Sequence, residues 1–146
     1  MILGDEIVLR ARAWLGTPYL HQASCKGAGT DCLGLLRGIW REVYGAEPRE
    51  VPPYTPDWAE PDSREELLQA AGAILRPCAL GDAAPGDVLV FRMRPGAVAK
   101  HLGIAGGVGE FPTFIHAYTG HGVVESALTD PWRRKIAARF RFPSGV

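Results

Sequence analysis

The stretch Gly29-Thr30-Asp31-Cys32-Leu33-Gly34-Leu35-Leu36 decides the fold, because a glycine-containing loop gives way there to a helical pattern. Thr30 is of a residue type that often caps helices, and the apolar residues that follow it recur at helical spacing. This pattern predicts a helix from about Cys32 to Tyr44 that ends at Gly45. Cys32 then lies in the first turn, where unpaired backbone N–H groups and the helix dipole stabilise a thiolate.

The composition limits the class of protein and its partners. A chain of 146 residues suits one domain, so we expect a single domain over residues 1–146. Sixteen basic side chains balance sixteen acidic ones, so neither nucleic acid nor an anionic membrane is an expected partner. Basic residues concentrate at Arg133-Arg134-Lys135 with Arg139 and Arg141, which we interpret as a solvated strand face, with a polyanionic partner as the alternative.

Cysteine usage and charge placement suggest where the chain is made. It has three cysteines, and this odd number argues against a disulfide framework. No CxxC pair appears among them. No segment approaches the ~18 apolar residues of a membrane helix. Charged residues between Asp5 and Arg12 interrupt any signal-peptide core. We therefore expect cytoplasmic synthesis without a signal peptide, and no insertion into a membrane.

Helical patterns precede strand patterns along the chain. Besides the Cys32 helix, a first helix is predicted from Asp5 to Leu15. A capping box at Ser63-Arg64-Glu65-Glu66 opens a third helix that runs to about Leu75 and is closed by Pro77. A proline-rich surface loop is expected at 46–62, and strands are expected at 88–93, 102–105, 113–118, 122–126 and 138–142. Helices first and strands second indicate an α+β fold with an antiparallel sheet.

Two histidines on the predicted strands are candidate partners for Cys32. Side chains alternate faces along a strand, so His101 and His116 project from one side of the sheet in a suitable register. If the Cys32 helix packs against that side, the three groups converge. Cys32 would attack a carbonyl carbon, His101 would take the thiol proton and later protonate the leaving amine, and His116 would fix the tautomer of His101.

Other groups near Cys32 could stabilise charge. The backbone N–H of Cys32 can donate to a developing oxyanion, and Tyr19, in the preceding loop, could add its hydroxyl. Asp31, expected at the first helical position, is favourable for the helix dipole. Cys25, Cys32 and the two histidines match no standard zinc spacing, so we predict neither a metal nor an organic cofactor.

Five motifs, taken in order and spacing, resemble the NlpC-type cell-wall peptidases over roughly residues 5–142. They are Gly16-Thr17-Pro18-Tyr19, Asp31-Cys32-Leu33-Gly34-Leu35, Pro85-Gly86-Asp87-Val88, His101-Leu102-Gly103-Ile104 and Ile115-His116-Ala117. The resemblance implies a papain-like α+β fold, with N-terminal helices packed on a C-terminal antiparallel β-sheet. It also implies a cysteine endopeptidase that hydrolyses amide bonds in peptidoglycan stem peptides, commonly the D-γ-glutamyl–diaminopimelate bond.

The resemblance also assigns roles to residues. Cys32 matches the nucleophile, His101 the base and His116 the third polar residue of the catalytic set. Tyr19 and Asp31 match residues that line the substrate site, where Asp31 could pair with a free amine of the stem peptide. The family usually has Ser directly after the nucleophile, whereas this chain has Leu33.

The expected lack of a signal peptide and of a wall-binding domain resembles the phage-derived branch, whose members are single-domain peptidases on the tails of phages or gene-transfer particles. Tail proteins are then expected partners, and a virion or tail particle acting at the cell wall is the expected location. Two other functions stay open. One is an amidase or acyltransferase with the same Cys–His machinery, and the other is a non-catalytic tail-tip module that binds the wall.

Overall fold

The computed structural model describes residues 3–49 and 65–144, and helices precede the main sheet in this part of the chain. The helices are α1 (Leu3–Arg12), α2 (Cys32–Tyr44), α3 (Glu66–Ile74) and the short α4 (Asp130–Arg133). The strands are β1 (Ser24–Cys25), β2 (Gly29–Thr30), β3 (Arg76–Cys78), β4 (Val88–Phe91), β5 (His101–Ala105), β6 (Thr113–Tyr118), β7 (Gly122–Ala127) and β8 (Ile136–Arg141). The predicted α+β class is confirmed.

The main sheet has the strand order β3-β8-β4-β5-β6-β7, and every neighbouring pair is antiparallel as predicted. The short strands β1 and β2 form a separate antiparallel pair before α2. Strand β3 was not predicted, because Pro77 lacks the N–H that a ladder needs and was expected only to close a helix. Pro77 is tolerated since β3 lies at the sheet edge, where one side of the backbone needs no partner strand.

Helix α2 begins at Cys32 as predicted, but Asp31 caps it instead of Thr30. The backbone of Asp31 is extended (φ −105°, ψ −173°), and its Oδ1 accepts from the Gly34 N–H at 2.7 Å. Its Oδ2 accepts from the Gln22 N–H at 2.7 Å. Asp31 is therefore the N-cap and not the first helical residue, so both sequence-based expectations about this cap were wrong.

Glycines position both ends of α2. A Cβ on Gly34 would lie 1.9 Å from the Ala23 carbonyl oxygen and 2.5 Å from the Thr30 hydroxyl oxygen. The missing side chain therefore lets the first turn lie directly against the preceding loop. At the other end Gly45 has a positive φ of 95° and donates its N–H to the Arg41 carbonyl, which confirms the predicted stop.

The two faces of the sheet pack against different neighbours. One face contributes Val88, Val90, Leu102, Ile104 and Ile115 to a core shared with the first three helices through Ile7, Leu35, Ile39 and Leu67. The opposite face forms a smaller core, which comprises Leu89, Phe91, Ala105, Phe114 and Leu128, with Trp132 of α4 packed against it. Alternation of side chains along each strand separates the two sets.

A buried ion-pair group holds β8 against the turn before β4. The Asp87 carboxylate accepts from the Arg139 Nη1 at 2.9 Å and from the Arg141 Nε at 2.7 Å. Asp87 is fully buried and Arg139 nearly so. The interpretation of a solvated strand face was therefore wrong for Arg139, which neutralises a carboxylate that burial would otherwise disfavour. The Arg141 side chain, at 39% exposure, remains partly solvated.

Helix α3 is shorter than predicted. It begins after Glu65, whose side chain makes no capping hydrogen bond. The carboxylate of Glu65 instead accepts from the Ala99 N–H at 2.9 Å and pairs with Arg92. Ser63 and Arg64 of the predicted capping box, and most of the predicted proline-rich loop, lie outside the described residues. No helix within 3–49 and 65–144 has the length and apolar character to cross a membrane.

Candidate active site

The two candidate histidines meet on adjacent strands. The pairing of Ile104 with Ile115 places His101 of β5 diagonally across from His116 of β6, on the same face. Nε2 of His101 lies 2.9 Å from Nδ1 of His116, so the predicted juxtaposition is confirmed. A Cβ on the intervening Gly103 would lie 3.2 Å from the Cβ of His116, so a glycine there leaves room for the imidazole.

Helix α2, which carries Cys32, and the two imidazoles lie on opposite faces of the sheet. The imidazoles lie on the sheet face that carries Phe91 and Phe114, whereas α2 packs on the opposite face. The condition under which the three groups would converge, a Cys32 helix packed on the histidine side, is therefore not met. The Cys32 thiol instead approaches the start of β5, where Sγ lies 4.0 Å from the carbonyl oxygen of Lys100, the residue before His101.

Cys32 and His101 line one surface pocket of about 180 Å³. The predicted site residues Tyr19 and Asp31 line it as well, whereas His116 lies behind His101. Four further polar or flexible residues that line the pocket were not among the predicted site residues. These lining residues are His21, Met93, Lys100 and Thr119.

Burial keeps the reacting groups neutral. Cys32 is only 7% exposed, and burial together with the neighbouring Asp31 carboxylate raises its pKa to about 12. Backbone N–H groups of Leu102, Leu33 and Cys32 itself act in the opposite direction on that pKa. Burial, with the adjacent His116, lowers the pKa of His101 to about 3. At neutral pH the pocket therefore holds a thiol and an imidazole, and not the preformed thiolate expected from the helix start.

His116 is enclosed by aromatic side chains and by one hydroxyl. Burial, followed by the influence of His121, lowers its pKa to about 4. Its Nε2 lies 2.9 Å from Oγ of Ser126 on β7. The ring of Trp132 packs edge-on against it, with centroids 5.4 Å apart. Sequence reasoning missed Ser126 and Trp132, although the short turn between Tyr118 and Gly122 could have fixed the register that brings Ser126 to His116.

The predicted substrate-lining residues have structural contacts of their own. Tyr19 is partly buried, and this burial raises its pKa. Both carboxylate oxygens of Asp31 accept backbone N–H groups, and the nearest histidine nitrogen, His21 Nδ1, lies 3.8 Å from Oδ2. Leu33, where the resemblance leads one to expect Ser, is buried in the main core and does not line the pocket.

This arrangement suits nucleophilic acyl transfer. A thiol, an imidazole with one free ring nitrogen and backbone N–H groups at a helix start are the parts that such a reaction needs. Among residues 3–49 and 65–144, no three His, Cys, Asp or Glu side chains are grouped so that they could hold a metal ion. The site thus has the parts of a cysteine-dependent acyl-transfer site, carried on helices and an antiparallel sheet.

The chain is similar in sequence to two bacterial hydrolases. The chain is 29% identical over 122 residues to the murein DD-endopeptidase MepS/murein LD-carboxypeptidase of Escherichia coli K12, covering 84% of this chain and 53% of the relative. It is 29% identical to a gamma-DL-glutamyl hydrolase of Bacillus subtilis 168, covering 93% of this chain and 29% of the relative. No family model matches the chain.

A solved structure gives a more complete overlap. The crystal structure of the NlpC/p60 domain of the peptidoglycan hydrolase SagA superimposes with a TM-score of 0.60 at 26% sequence identity, covering 86% of this chain and 89% of that domain. The chain spans about half the length of the Escherichia coli relative. Together these likenesses support a relationship of the chain to the NlpC/P60 family of cell-wall peptidases.

Proposed function

We propose that the chain is a cysteine endopeptidase that cleaves amide bonds in peptidoglycan stem peptides. The observation that carries the proposal is the pocket in which Cys32 and His101 lie together, with His101 held by His116 at 2.9 Å. Cys32 is the nucleophile in this proposal, His101 is the base and His116 orients it. Tyr19 and Asp31 line the substrate side of the same pocket.

The neutral thiol and imidazole define the first step. Nε2 of His101 is held by His116, so Nδ1 is the nitrogen that takes the proton from Cys32 as Sγ attacks the carbonyl carbon. The Cys32 N–H donates to the resulting oxyanion. The His101 imidazolium then protonates the leaving amine, the C–N bond breaks and a thioester remains. Water, activated by His101, hydrolyses the thioester and restores the thiol.

We further propose the D-γ-glutamyl–diaminopimelate bond as the substrate bond. The proposal rests on the resemblance of the motifs and on the similarity to a gamma-DL-glutamyl hydrolase. A buried Leu33 in place of the usual Ser removes a hydroxyl from the neighbourhood of the nucleophile. The alternative is an amidase or acyltransferase, which would use the same thioester with a different acyl donor or acceptor.

Digestion of purified sacculi tests the activity and identifies the bond. Wild type and Cys32→Ala are compared, and Cys25→Ala serves as a matched control because Cys25 is exposed and does not line the pocket. We expect soluble peptides from wild type and Cys25→Ala and none from Cys32→Ala, with mass spectra showing which bond was cut. Equal absence of peptides from all three, with the protein bound to sacculi, would instead indicate a wall-binding module.

The delivery route is a separate proposal. We propose that a phage tail or gene-transfer particle carries the enzyme to the wall, with tail proteins as its partners, as expected for the phage-derived branch. Particles purified from the source culture and probed with an antibody to this chain test it, and we expect the antigen to sediment with the tails. Free secreted protein in particle-free medium would contradict the proposal.

A further inference from the structure

Three side chains form a continuous hydrogen-bonded line that ends at Ser126. Oγ of Ser126 lies 2.9 Å from Nε2 of His116, and Nδ1 of His116 lies 2.9 Å from Nε2 of His101. The line follows from the register of β6 and β7, in which Val124 is opposite His116 and Ser126 is opposite Phe114. Ser126 is thus the diagonal neighbour of His116 on the same face.

The direction of these hydrogen bonds decides whether His101 can accept a proton. If Ser126 accepts from His116, then His116 carries its proton on Nε2 and its Nδ1 accepts from His101. His101 then carries its proton on Nε2, and its Nδ1 is free to take the thiol proton. If Ser126 donates instead, every proton moves to the other nitrogen, and His101 presents an N–H to the sulfur.

The surroundings of His116 make Ser126 difficult to replace in this role. His116 is 1% exposed, so water has little access to its Nε2. Its ring is packed between Phe114, with centroids 4.1 Å apart, and the edge-on ring of Trp132. Neither of those rings offers an acceptor comparable to a hydroxyl oxygen, and an unsatisfied buried N–H is destabilising.

We propose that Ser126 is a positioning residue that sets the tautomers of both imidazoles. By accepting from Nε2 of His116, it fixes the proton of His101 on Nε2 and leaves Nδ1 open to Cys32. Ser126 does not touch the substrate in this proposal and acts only through the two rings. The inference rests on the proposed function insofar as Cys32 and His101 react together, but the tautomer assignment can be measured without substrate.

The variants Ser126→Ala and Ser126→Thr separate the hydroxyl from the rest of the side chain. Thr113→Val is the matched control, because Thr113 donates its hydroxyl on the neighbouring strand to Glu125 and not to a histidine. The first readout is the rate at which iodoacetamide modifies Cys32, followed by peptide mass spectrometry across a pH series. The second is the 15N spectrum of histidine-labelled protein, which distinguishes Nδ1–H from Nε2–H.

We expect Ser126→Ala to slow modification of Cys32 about tenfold, the value of one lost buried hydrogen bond. Ser126→Thr should restore the rate, and Thr113→Val should match wild type. The wild-type spectrum should show Nε2–H on both His101 and His116, and the alanine variant should lose that pattern. If Ser126→Ala proves unable to fold, the wild-type spectrum alone decides.

Two results would overturn the inference. One is Nδ1–H on His116 in the wild type, and the other is a Ser126→Ala protein with wild-type tautomers and an unchanged rate, whatever its melting temperature. Failure of the proposed function is distinguishable from both. In that case sacculi would stay intact while the modification rate and the 15N pattern still depended on Ser126.

Discussion

Cys32 lies between two opposing influences, burial and the amide groups of a helix start. The N–H groups of Cys32, Leu33 and Leu102 favour a thiolate, but loss of solvent outweighs them and raises the pKa to about 12. A helix N-terminus therefore does not by itself make this cysteine anionic. A proton transfer from Cys32 to His101, as proposed above, would create both charges together, so that each stabilises the other.

Asp31 has a structural role that can be separated from its predicted role toward substrate. Asp31→Ala removes the acceptor for the Gly34 and Gln22 N–H groups, so we expect the free energy of unfolding to fall by about 1–2 kcal/mol in urea denaturation. Asp31→Asn keeps an acceptor oxygen and removes the charge. Its NH2 group replaces one of the two accepting oxygens, so we expect a smaller loss of stability than for Asp31→Ala, about 1 kcal/mol, with a higher KM for stem peptides that carry a free amine.

Acetylated peptides are the control for this prediction. They lack the amine charge, so their KM should be the same for wild type and Asp31→Asn. A KM that rises equally for free and acetylated peptides would exclude an amine-binding role and leave Asp31 as a cap alone.

The residues of the candidate site differ in how well the sequence predicts them. Cys32, His101 and His116 could be found because motif order and strand alternation place them, and the two imidazoles do meet. The cap could not be assigned between Thr30 and Asp31, because both types cap helices and the choice depends on backbone torsion angles. Ser126 carries no motif, and its role depends on contacts with the ring of His116.

The start of α2 determines where the nucleophile lies, and Gly34 controls that start. Alanine is favoured over glycine in a helix by up to about 1 kcal/mol, but a Cβ here would lie 1.9 Å from a backbone oxygen. The steric clash should outweigh the gain in helix propensity, so we expect Gly34→Ala to lower the free energy of unfolding by about 1–3 kcal/mol. Cys32 would shift with the first turn, so kcat should fall as well.

Gly72 in α3 offers a matched control for this substitution. Among the described residues, a Cβ there would meet only the Phe140 ring at 3.8 Å, an ordinary contact. Gly72→Ala should therefore leave stability unchanged or raise it by up to about 1 kcal/mol in the same urea titration, with unchanged kcat. Equal effects of the two substitutions would contradict the close approach of α2 to the Ala23 carbonyl.

Elements with strong patterns could be predicted, and elements held by tertiary contacts could not. The bounds of β6 match the prediction at 113–118 because turns and apolar alternation mark both ends. The edge strand β3 contains a proline and forms because β8 offers it a partner. The four-residue α4 is too short to show a helical period, although its Trp132 packs against the rings of both histidines.

At the scale of the whole molecule, the active site lies where the two cores meet at one end of the sheet. The helices cover one face, the imidazoles lie on the other, and Cys32 and His101 line one pocket near the start of β5. Sequence patterns could not reveal which face the helices cover. The strand Val88–Phe91, for example, is buried throughout, so it shows no polar alternation from which a solvent face could be assigned.

Two buried neutral histidines make the stability of the whole molecule depend on pH. Their pKa values are lowered to about 3 and about 4 in the folded state, below the ordinary value of 6.5 that we take for the unfolded chain. At a pH between the folded-state and unfolded-state pKa values, the unfolded chain binds more protons than the folded one. The free energy of unfolding must therefore fall as pH falls. We expect a loss on the order of 2 kcal/mol per histidine between pH 6.5 and 5.

Urea unfolding of wild type and His116→Asn at several pH values between 7 and 5 checks this expectation. The variant removes one titrating ring and also the neighbour that helps to lower the pKa of His101. Its free energy of unfolding should therefore depend on pH at most about half as steeply as that of wild type. Parallel pH profiles for the two proteins would mean that His116 is already protonated or solvated in the fold, because a group that titrates equally in both states contributes no slope.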